Sequence, residues 1–305
     1  MEKMEQLFAA LNEKADHFVD TQQVSYLEGV LDALDTALAG DYVLPTADAT
    51  KDDIRKAVQI AVLKGMRKAS QPNHQMTPDT LGFLVGYFVE QFYQDSDNVT
   101  LLDPALGTGN LVFTIMNMVG KVEATGIEVD ELLIHLASAT AELLAQPITL
   151  YRQDALEKLL VAPVDAVVCD LPVGYYPNEE VALEYELCAT EGMSYAHHLF
   201  IEQSMNYVKE GGYAFFLIPA TLFESEQAAQ LHKYIKSHAW IQAVIQLPDG
   251  MFTSRAHEKS LLILQKQHAE MRAPKEVLLA KVPSLQNKNA LGLFFEKVKI
   301  WQEQK

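Results

Sequence analysis

The sequence predicts an α/β chain, a doubly wound and mostly parallel sheet of seven strands preceded by a helical N-terminal domain. From about residue 76 onward, short apolar runs alternate with segments of helical periodicity. Strands separated by helices need crossover connections, and these make the pairing parallel. Residues 1–70 show helical periodicity alone. The 305 residues are 49% hydrophobic and 21% charged, enough apolar side chain for a covered sheet and the composition of a globular chain rather than a disordered one.

Taken in order, Leu7, Leu11 and Phe18, then Leu27, Val30, Leu31, Leu34 and Leu38, recur at spacings of three and four. Each N-terminal helix therefore carries an apolar face. Gly40 and Pro45 interrupt the pattern, and Thr50 with Asp53 three residues on has the form of a capping box opening a helix of Ile54, Val58, Ala61 and Val62. The expected strands are Val99 to Leu102, Val122 to Ile127, Ile148 to Tyr151, Ala166 to Cys169, Tyr213 to Ile218, Ile241 to Gln246 and Leu261 to Leu264. Between them helical spacing runs through Leu81 to Phe92, Leu111 to Val119, Leu132 to Leu144, Ala196 to Val208 and Gln227 to Ser237. This divides the chain into a helical domain (1–70), an α/β domain (71–270) and a C-terminal extension of strand and helix (271–305). Internal repeats and low-complexity tracts are absent from the sequence.

The chain has 24 Lys and Arg against 41 Asp and Glu, a formal charge of -17. Residues 71–270 carry 9 basic and 26 acidic groups and hold the whole deficit, so nonspecific coating of nucleic acid is excluded. Lys51, Arg55, Lys56, Lys64, Arg67 and Lys68 form a short basic segment, read most simply as a solvated helix face. Residues 271–305 add 7 basic groups against 3 acidic ones, and the two flanks together are a candidate nucleic-acid face. Cys169 and Cys188 cannot build a disulfide framework or a zinc site by themselves, and nothing like a secretory leader opens the chain. The longest apolar stretch, Ala214 to Phe223, is broken by Pro219 and falls short of the roughly 20 residues that span a bilayer. The expectation is a soluble cytoplasmic protein without a membrane anchor.

In doubly wound sheets ligands bind beyond the carboxyl ends of the strands. After the first strand comes Asp103-Pro104-Ala105-Leu106-Gly107-Thr108-Gly109-Asn110, running straight into a helix. Gly107 and Gly109 allow a tight turn and close approach of a ligand to the backbone. A dinucleotide fingerprint would need a third glycine where Val112 stands, so the turn is read as a cradle for a smaller nucleotide-like group. The second strand ends in Glu128, with Asp130 two residues on, at about the distance where a carboxylate meets a ribose diol. The third ends in Gln153-Asp154-Ala155, placed to hold an adenine edge, and the fourth in Asp170-Leu171-Pro172-Val173-Gly174-Tyr175-Tyr176. Each signal alone is weak, but four at consecutive strand ends reinforce one another.

Over about residues 73 to 266 the sequence resembles the class I S-adenosylmethionine-dependent methyltransferases, specifically the adenine-N(6) DNA methylases related to the modification subunit of type I restriction systems. Asn73-His74-Gln75-Met76-Thr77-Pro78 is similar to the segment that touches the methionine end of the cofactor in that family. Asp103 to Asn110 resembles its cofactor loop, Glu128 its ribose ligand and Asp154 its contact to the adenine amine. Glu210-Gly211-Gly212-Tyr213, then Val244 to Phe252 and Lys259 to Leu264, resemble its later strands. The resemblance implies a Rossmann-like methyltransferase sheet and S-adenosylmethionine as cofactor. It also implies a cofactor set of Met76, Thr77, Pro78, Asp103, Pro104, Ala105, Gly107, Gly109, Asn110, Glu128, Asp130, Asp154 and Ala155.

The family's catalytic tetrapeptide is Asn or Asp, Pro, Pro, then Tyr or Phe. Its first side chain and the next backbone carbonyl accept hydrogen bonds from an exocyclic amine, and its ring stacks on the flipped base. Here Asp170 and Pro172 match, while Leu171 and Val173 replace the first proline and the ring, leaving Tyr175 or Tyr176 to stack. The leading reading is direct methylation of adenine in DNA, without a metal. The alternatives are an RNA, protein or small-molecule acceptor, or a non-catalytic cofactor-binding module acting through partners. The chain has no room for a target-recognition domain, so DNA, in preference to RNA, must be brought by the basic flanks, a specificity subunit or a second copy of the chain. His197 and His198 read as a surface and boundary pair, Cys169 as a buried small apolar residue, Phe215 and Phe216 as sheet core, and Arg255 as an exposed loop arginine, with a substrate-phosphate contact as the alternative.

Overall fold

Every strand expected between residues 99 and 264 is present in the computed structural model, which describes residues 2–68, 76–248, 251–252 and 258–304. The elements are α1 (Glu2–Gln22), α2 (Tyr26–Leu38), α3 (Lys51–Lys68), α4 (Asp79–Phe92), β1 (Val99–Asp103), α5 (Asn110–Val119), β2 (Val122–Glu128), α6 (Glu131–Leu143), β3 (Ile148–Arg152), β4 (Val164–Asp170), α7 (Glu179–Ala182), α8 (Ala196–Tyr207), β5 (Val208–Pro219), α9 (Ala228–His238), β6 (Ala239–Gln246), β7 (Lys259–Lys266), β8 (Leu278–Lys281) and α10 (Lys288–Glu303). The sheet has eight strands in the order β3-β2-β1-β4-β5-β7-β6-β8, one more than the seven expected. The additional strand comes from the C-terminal extension, where Leu278–Lys281 pairs with β6 in parallel. It is short, with a burial that alternates between half-buried and exposed. β7 runs antiparallel to both β5 and β6, and the pairs β2–β3, β1–β4, β4–β5 and β6–β8 are parallel.

The chain divides into two compact units, Met1–Gly86 with Leu106–Asp154, and Tyr87–Ala105 with Ala155–Lys305. In the first, α1, α2 and α3 pack on one another through Leu7, Leu11, Leu27, Val30, Leu34, Val58 and Val62, all buried. Ser25 and Glu28 form a reciprocal capping box at α2. Thr50 and Asp53 form the expected one at α3, with the Asp53 amide donating to Thr50 Oγ1 and the Thr50 amide to Asp53. Each box satisfies helix-end donors that would otherwise need water. The basic segment has the solvated character expected of it at Lys51 and Arg67, which are exposed, and departs from it at Arg55, whose guanidinium is buried. Lys56 pairs with Asp52 at 2.6 Å and Lys64 with Asp16 at 3.1 Å, both lysine side chains staying partly exposed, and Lys51 donates to the Ala145 carbonyl.

In the second unit the core is the sheet itself. Val167, Val168 and Cys169 of β4, Phe215 and Phe216 of β5, and Leu261 to Leu264 of β7 are almost wholly buried, as a covered parallel sheet requires. Asp165 accepts from the Thr100 amide and hydroxyl and pairs with Lys209 at 2.6 Å, which pins the amino end of β4. His197 and His198 depart from the surface and boundary positions expected of them, since both are buried and His198 is 0% exposed. Ten consecutive residues of α8, Ala196 to Met205, are buried, so this helix has no solvent face over most of its length. No helix among the described residues is long and apolar enough to cross a membrane.

Candidate active site

In the first unit the loop before α5 is fixed by its own backbone. The Leu106 amide donates to Ile127 of β2 at 2.9 Å, and the Gly109 amide to Leu106 at 3.0 Å. Gly107 and Gly109 adopt left-handed φ angles of 58° and 80°, which explains both glycines on conformational grounds. They differ in their surroundings. A Cβ on Gly109 would lie 2.4 Å from the Phe113 ring, whereas one on Gly107 would meet nothing within 4 Å. Glu128, half-buried at the end of β2, accepts from the Gly107 amide at 2.7 Å and from the Asp130 amide at 2.9 Å. Both carboxylate oxygens are thereby oriented, and each keeps a lone pair to accept a hydroxyl donor. Asp130 caps α6 by accepting from the Leu133 amide, and Asp154 lies half-buried just beyond β3.

Asn110 opens α5 with its side chain turned inward, donating to the Thr77 carbonyl at 2.7 Å and to Asp79 at 3.1 Å. Thr77 is buried, Met76 half-buried and Pro78 exposed, while Asn73, His74 and Gln75 lie outside the described residues.

The second unit carries the ends of β1 and β4, which are parallel neighbours. Asp103 is buried and accepts from the Ala105 amide at 3.0 Å; Pro104 is also buried, Ala105 half-buried and Ala155 buried. Asp170 ends β4 and forms an ion pair with Lys259, the first residue of β7, both side chains being largely shielded from solvent. The contact crosses the end of β5, the strand between β4 and β7. The Leu171 amide donates to Leu217 of β5 at 3.1 Å, holding the tetrapeptide at the sheet edge. Pro172 is half-buried and Val173 exposed.

The two tyrosines that follow part company. Tyr176 is 6% exposed and its amide donates to the Ser194 carbonyl, whereas Tyr175 is 58% exposed and stacks on Tyr195 at 5.0 Å with 14° between the rings. Tyr195 lies 5.0 Å from the ring of His197 and 5.4 Å from that of His198. Burial pushes the His197 imidazole down to about 4; burial, reinforced by His197, does the same to His198. The segment after the tetrapeptide is tied to α8 by Glu202, which accepts from the Glu186 and Leu187 amides at 2.9 and 2.8 Å.

Among the described residues no group of three or more His, Cys, Asp and Glu side chains is placed to hold a metal ion. Three residues escaped the sequence reading. Lys259 was legible as a lysine opening an otherwise apolar strand, and Arg55 as a cation at the helical spacing of Val58 and Val62. Glu202 carried no signal, being one more acid in an acidic chain. Arg255 lies outside the described residues, as do Asp249 and Gly250.

The family model for N-6 DNA methylases matches residues 68–293. The chain belongs to that family. It is similar to protein YtxK of Bacillus subtilis, at 45% identity over 93% of each chain. It is also similar to a crystal structure from Listeria monocytogenes described as a class I S-adenosylmethionine-dependent methyltransferase, at 42% identity, a TM-score of 0.92 and 99% coverage of both chains. The methyltransferase subunit of the type I restriction-modification system from Streptococcus thermophilus shares the fold, with 15% identity, a TM-score of 0.68, and 96% and 74% of the two chains covered. S-adenosylmethionine is accordingly the cofactor of this methyltransferase. The oriented Glu128 carboxylate and the open approach to Gly107 fit such a group.

Proposed function

We propose that this N-6 DNA methylase family member methylates the exocyclic amine of adenine in DNA by direct transfer. The observation that carries the reading is Asp170, a carboxylate at the end of β4 in the tetrapeptide position, held by Lys259. In this reading the cofactor residues are those the family resemblance implies: Met76, Thr77, Pro78, Asp103, Pro104, Ala105, Gly107, Gly109, Asn110, Glu128, Asp130, Asp154 and Ala155. When bound, the cofactor supplies an electrophilic methyl carbon on its sulfonium. The work of the chain lies with the acceptor. Asp170 and the Leu171 carbonyl accept hydrogen bonds from the two amine N–H groups, which raises electron density on a nitrogen otherwise conjugated into its ring. The proton released as the N–C bond forms passes to Asp170 or to water. Tyr175 offers the exposed ring face for the base, and Pro172 keeps the turn rigid.

DNA would be delivered by a partner subunit, a second copy of the chain, or the C-terminal segment, where Arg272, Lys275, Lys288, Lys297 and Lys299 are all exposed. Two free cysteines suit a reducing compartment, and we place the activity in the cytoplasm. The organisation we infer is a helical domain over 1–70, a methyltransferase domain over 71–270 and an extension over 271–305.

A second reading has its own support. Residues 171–208 contain no Lys or Arg, while Glu179, Glu180, Glu184, Glu186 and Glu191 are exposed. An acid-only segment directly after the tetrapeptide favours a cationic acceptor, such as a basic protein or a polyamine-like small molecule. Transfer of labelled methyl from the cofactor to DNA, RNA, protein and small-molecule fractions, compared with Asp170→Ala, separates the readings. Label in DNA that Asp170→Ala abolishes supports the first, and label in protein or small molecules supports the second. No label in any fraction sinks both.

A further inference from the structure

We propose that Arg55 of α3 is a positioning residue for the cofactor loop, through which the N-terminal helical region sets the geometry of Asn110 and of the Thr77 segment. The inference rests on the reading of residues 103–110 as the cofactor loop. The Arg55 side chain is 2% exposed and uses all five of its N–H donors. Nη1 donates to Asp79 Oδ1 at 2.8 Å and to Asn110 Oδ1 at 3.0 Å; Nη2 donates to Asp79 Oδ2 and Asp52 Oδ1, both at 2.8 Å; Nε donates to Asp52 at 3.2 Å. Asp79 follows the Thr77-Pro78 pair, and it also takes a 2.6 Å hydrogen bond from Gln59 of α3. Asn110, in turn, accepts from Arg55 on one side and donates to the Thr77 carbonyl and Asp79 on the other.

An amide side chain has two orientations that differ by exchange of oxygen and nitrogen. Arg55 decides between them here, because only the oxygen accepts from a guanidinium. With the oxygen committed, the amide nitrogen faces the Thr77 carbonyl, and the start of α5 is clamped to the Thr77 segment. Burial favours the neutral form of Asp79, but hydrogen bonds from Arg55 and Asn110 outweigh it and hold the carboxyl below its usual range, so the fork has a charged partner. A buried arginine satisfied at every donor is more than a helix–helix staple needs. It fixes in place two segments of the proposed cofactor set at once.

Lysine keeps the charge but not the planar fork, so it cannot serve Asp52, Asp79 and Asn110 together. Arg55→Lys should loosen the loop, read as faster amide hydrogen exchange over residues 106–114 of the unliganded protein. It should also raise the calorimetric Kd for S-adenosylmethionine by roughly tenfold. Asn110→Ala cuts the clamp from the loop side and should have a similar effect, with the double variant no weaker than the worse single. Lys64→Met removes the Asp16 ion pair elsewhere on α3 and is the control for general destabilisation. It should leave both readouts as in the wild type even where its melting temperature falls equally.

Wild-type exchange over 106–114 in Arg55→Lys, or additive losses in the double variant, would overturn the proposal. Wild-type protein that binds no cofactor would refute the cofactor reading instead, with the exchange measurement still deciding the role of Arg55.

Discussion

Replacing His198 by leucine should make the protein less sensitive to mild acid. Neither ring nitrogen of His198 has a hydrogen-bond partner among the described residues, and Nδ1 of His197 is likewise unpartnered. The folded-state value near 4 for each imidazole lies below the roughly 6.5 of an unfolded chain. Between those limits the unfolded chain binds more protons than the folded one. The stabilisation is therefore complete above pH ~6.5, drains away as pH falls toward ~4, and changes no further below that. A displacement of about 2.5 units corresponds to about 3 kcal/mol for one histidine, and the second adds less because the two rings sit 4.9 Å apart and influence each other.

Urea unfolding of wild type and His198→Leu at half-unit steps from pH 7.5 to 4.5 reads this directly. The variant should keep its stability at pH 7.5 within about 1 kcal/mol, since no hydrogen bond is lost and the volumes are close. Its decline between pH 6.5 and 4.5 should be shallower than the wild-type decline by about 2 to 3 kcal/mol. Carboxylates common to the two proteins cancel in the comparison, including Glu202 of α8 and Asp35, which burial pushes up. Burial opposes the charge on Asp79 and Asp165, but hydrogen bonds from Arg55 and Lys209 respectively hold both below the ordinary range, so their contribution is lost only at lower pH. An unchanged slope in His198→Leu would show that the ring is not held neutral by burial, and a large loss at pH 7.5 would show that its nitrogens have partners.

Lys259→Met leaves the Asp170 carboxylate largely shielded without its cation and should cost about 2 to 3 kcal/mol in chemical denaturation, most of it recovered in Asp170→Asn/Lys259→Met. Independent, additive losses would show that the two side chains do not act as a pair. Glu128→Gln should weaken cofactor binding about tenfold or more by calorimetry, whereas Asp130→Ala should weaken it less and also cost about 1 kcal/mol of stability as a lost helix cap. Equal cofactor losses in the two would show that the carboxylate oriented by the Gly107 amide has no larger share in holding the ligand. Tyr175→Ala should raise KM for the methyl acceptor several-fold while leaving the melting temperature near wild type, because its ring is exposed; Tyr176→Ala should lower the melting temperature by several degrees. The reverse pattern would reassign the stacking ring.

The strands were legible because β1, β4 and β7 are nearly continuous apolar runs, and the site's outline was legible because loop glycines and strand-end carboxylates are local signals. Lys259 is legible in sequence as the start of a strand, but its partnership with Asp170 joins residues 89 apart, and no local pattern encodes it. Arg55 was hidden for the same reason: in sequence it is one cation of a basic helix, and only the fold shows it buried against Asp79. His197 and His198 read in sequence as a surface and boundary pair, whereas α8 is enclosed over most of its length. A strand was expected in the C-terminal extension, but its position and its place in the sheet were not legible, since four residues carry too little alternation to declare themselves.

The segment from Leu171 to Val208 has exposed glutamates and no Lys or Arg, so on the DNA reading the enzyme should respond to salt in the sense opposite to the usual one. Most such proteins lose association rate as ionic strength rises, because counterions compete with their lysines and arginines. A polyanion approaching Asp170 past this segment meets repulsion first. At 0.1 M salt the repulsion reaches only about 10 Å, and it extends to about 30 Å at 0.01 M. Encounter with DNA at this site should therefore accelerate on going from low to moderate salt. A positively charged acceptor would show the opposite trend, so ionic strength alone reports the sign of the natural substrate's charge.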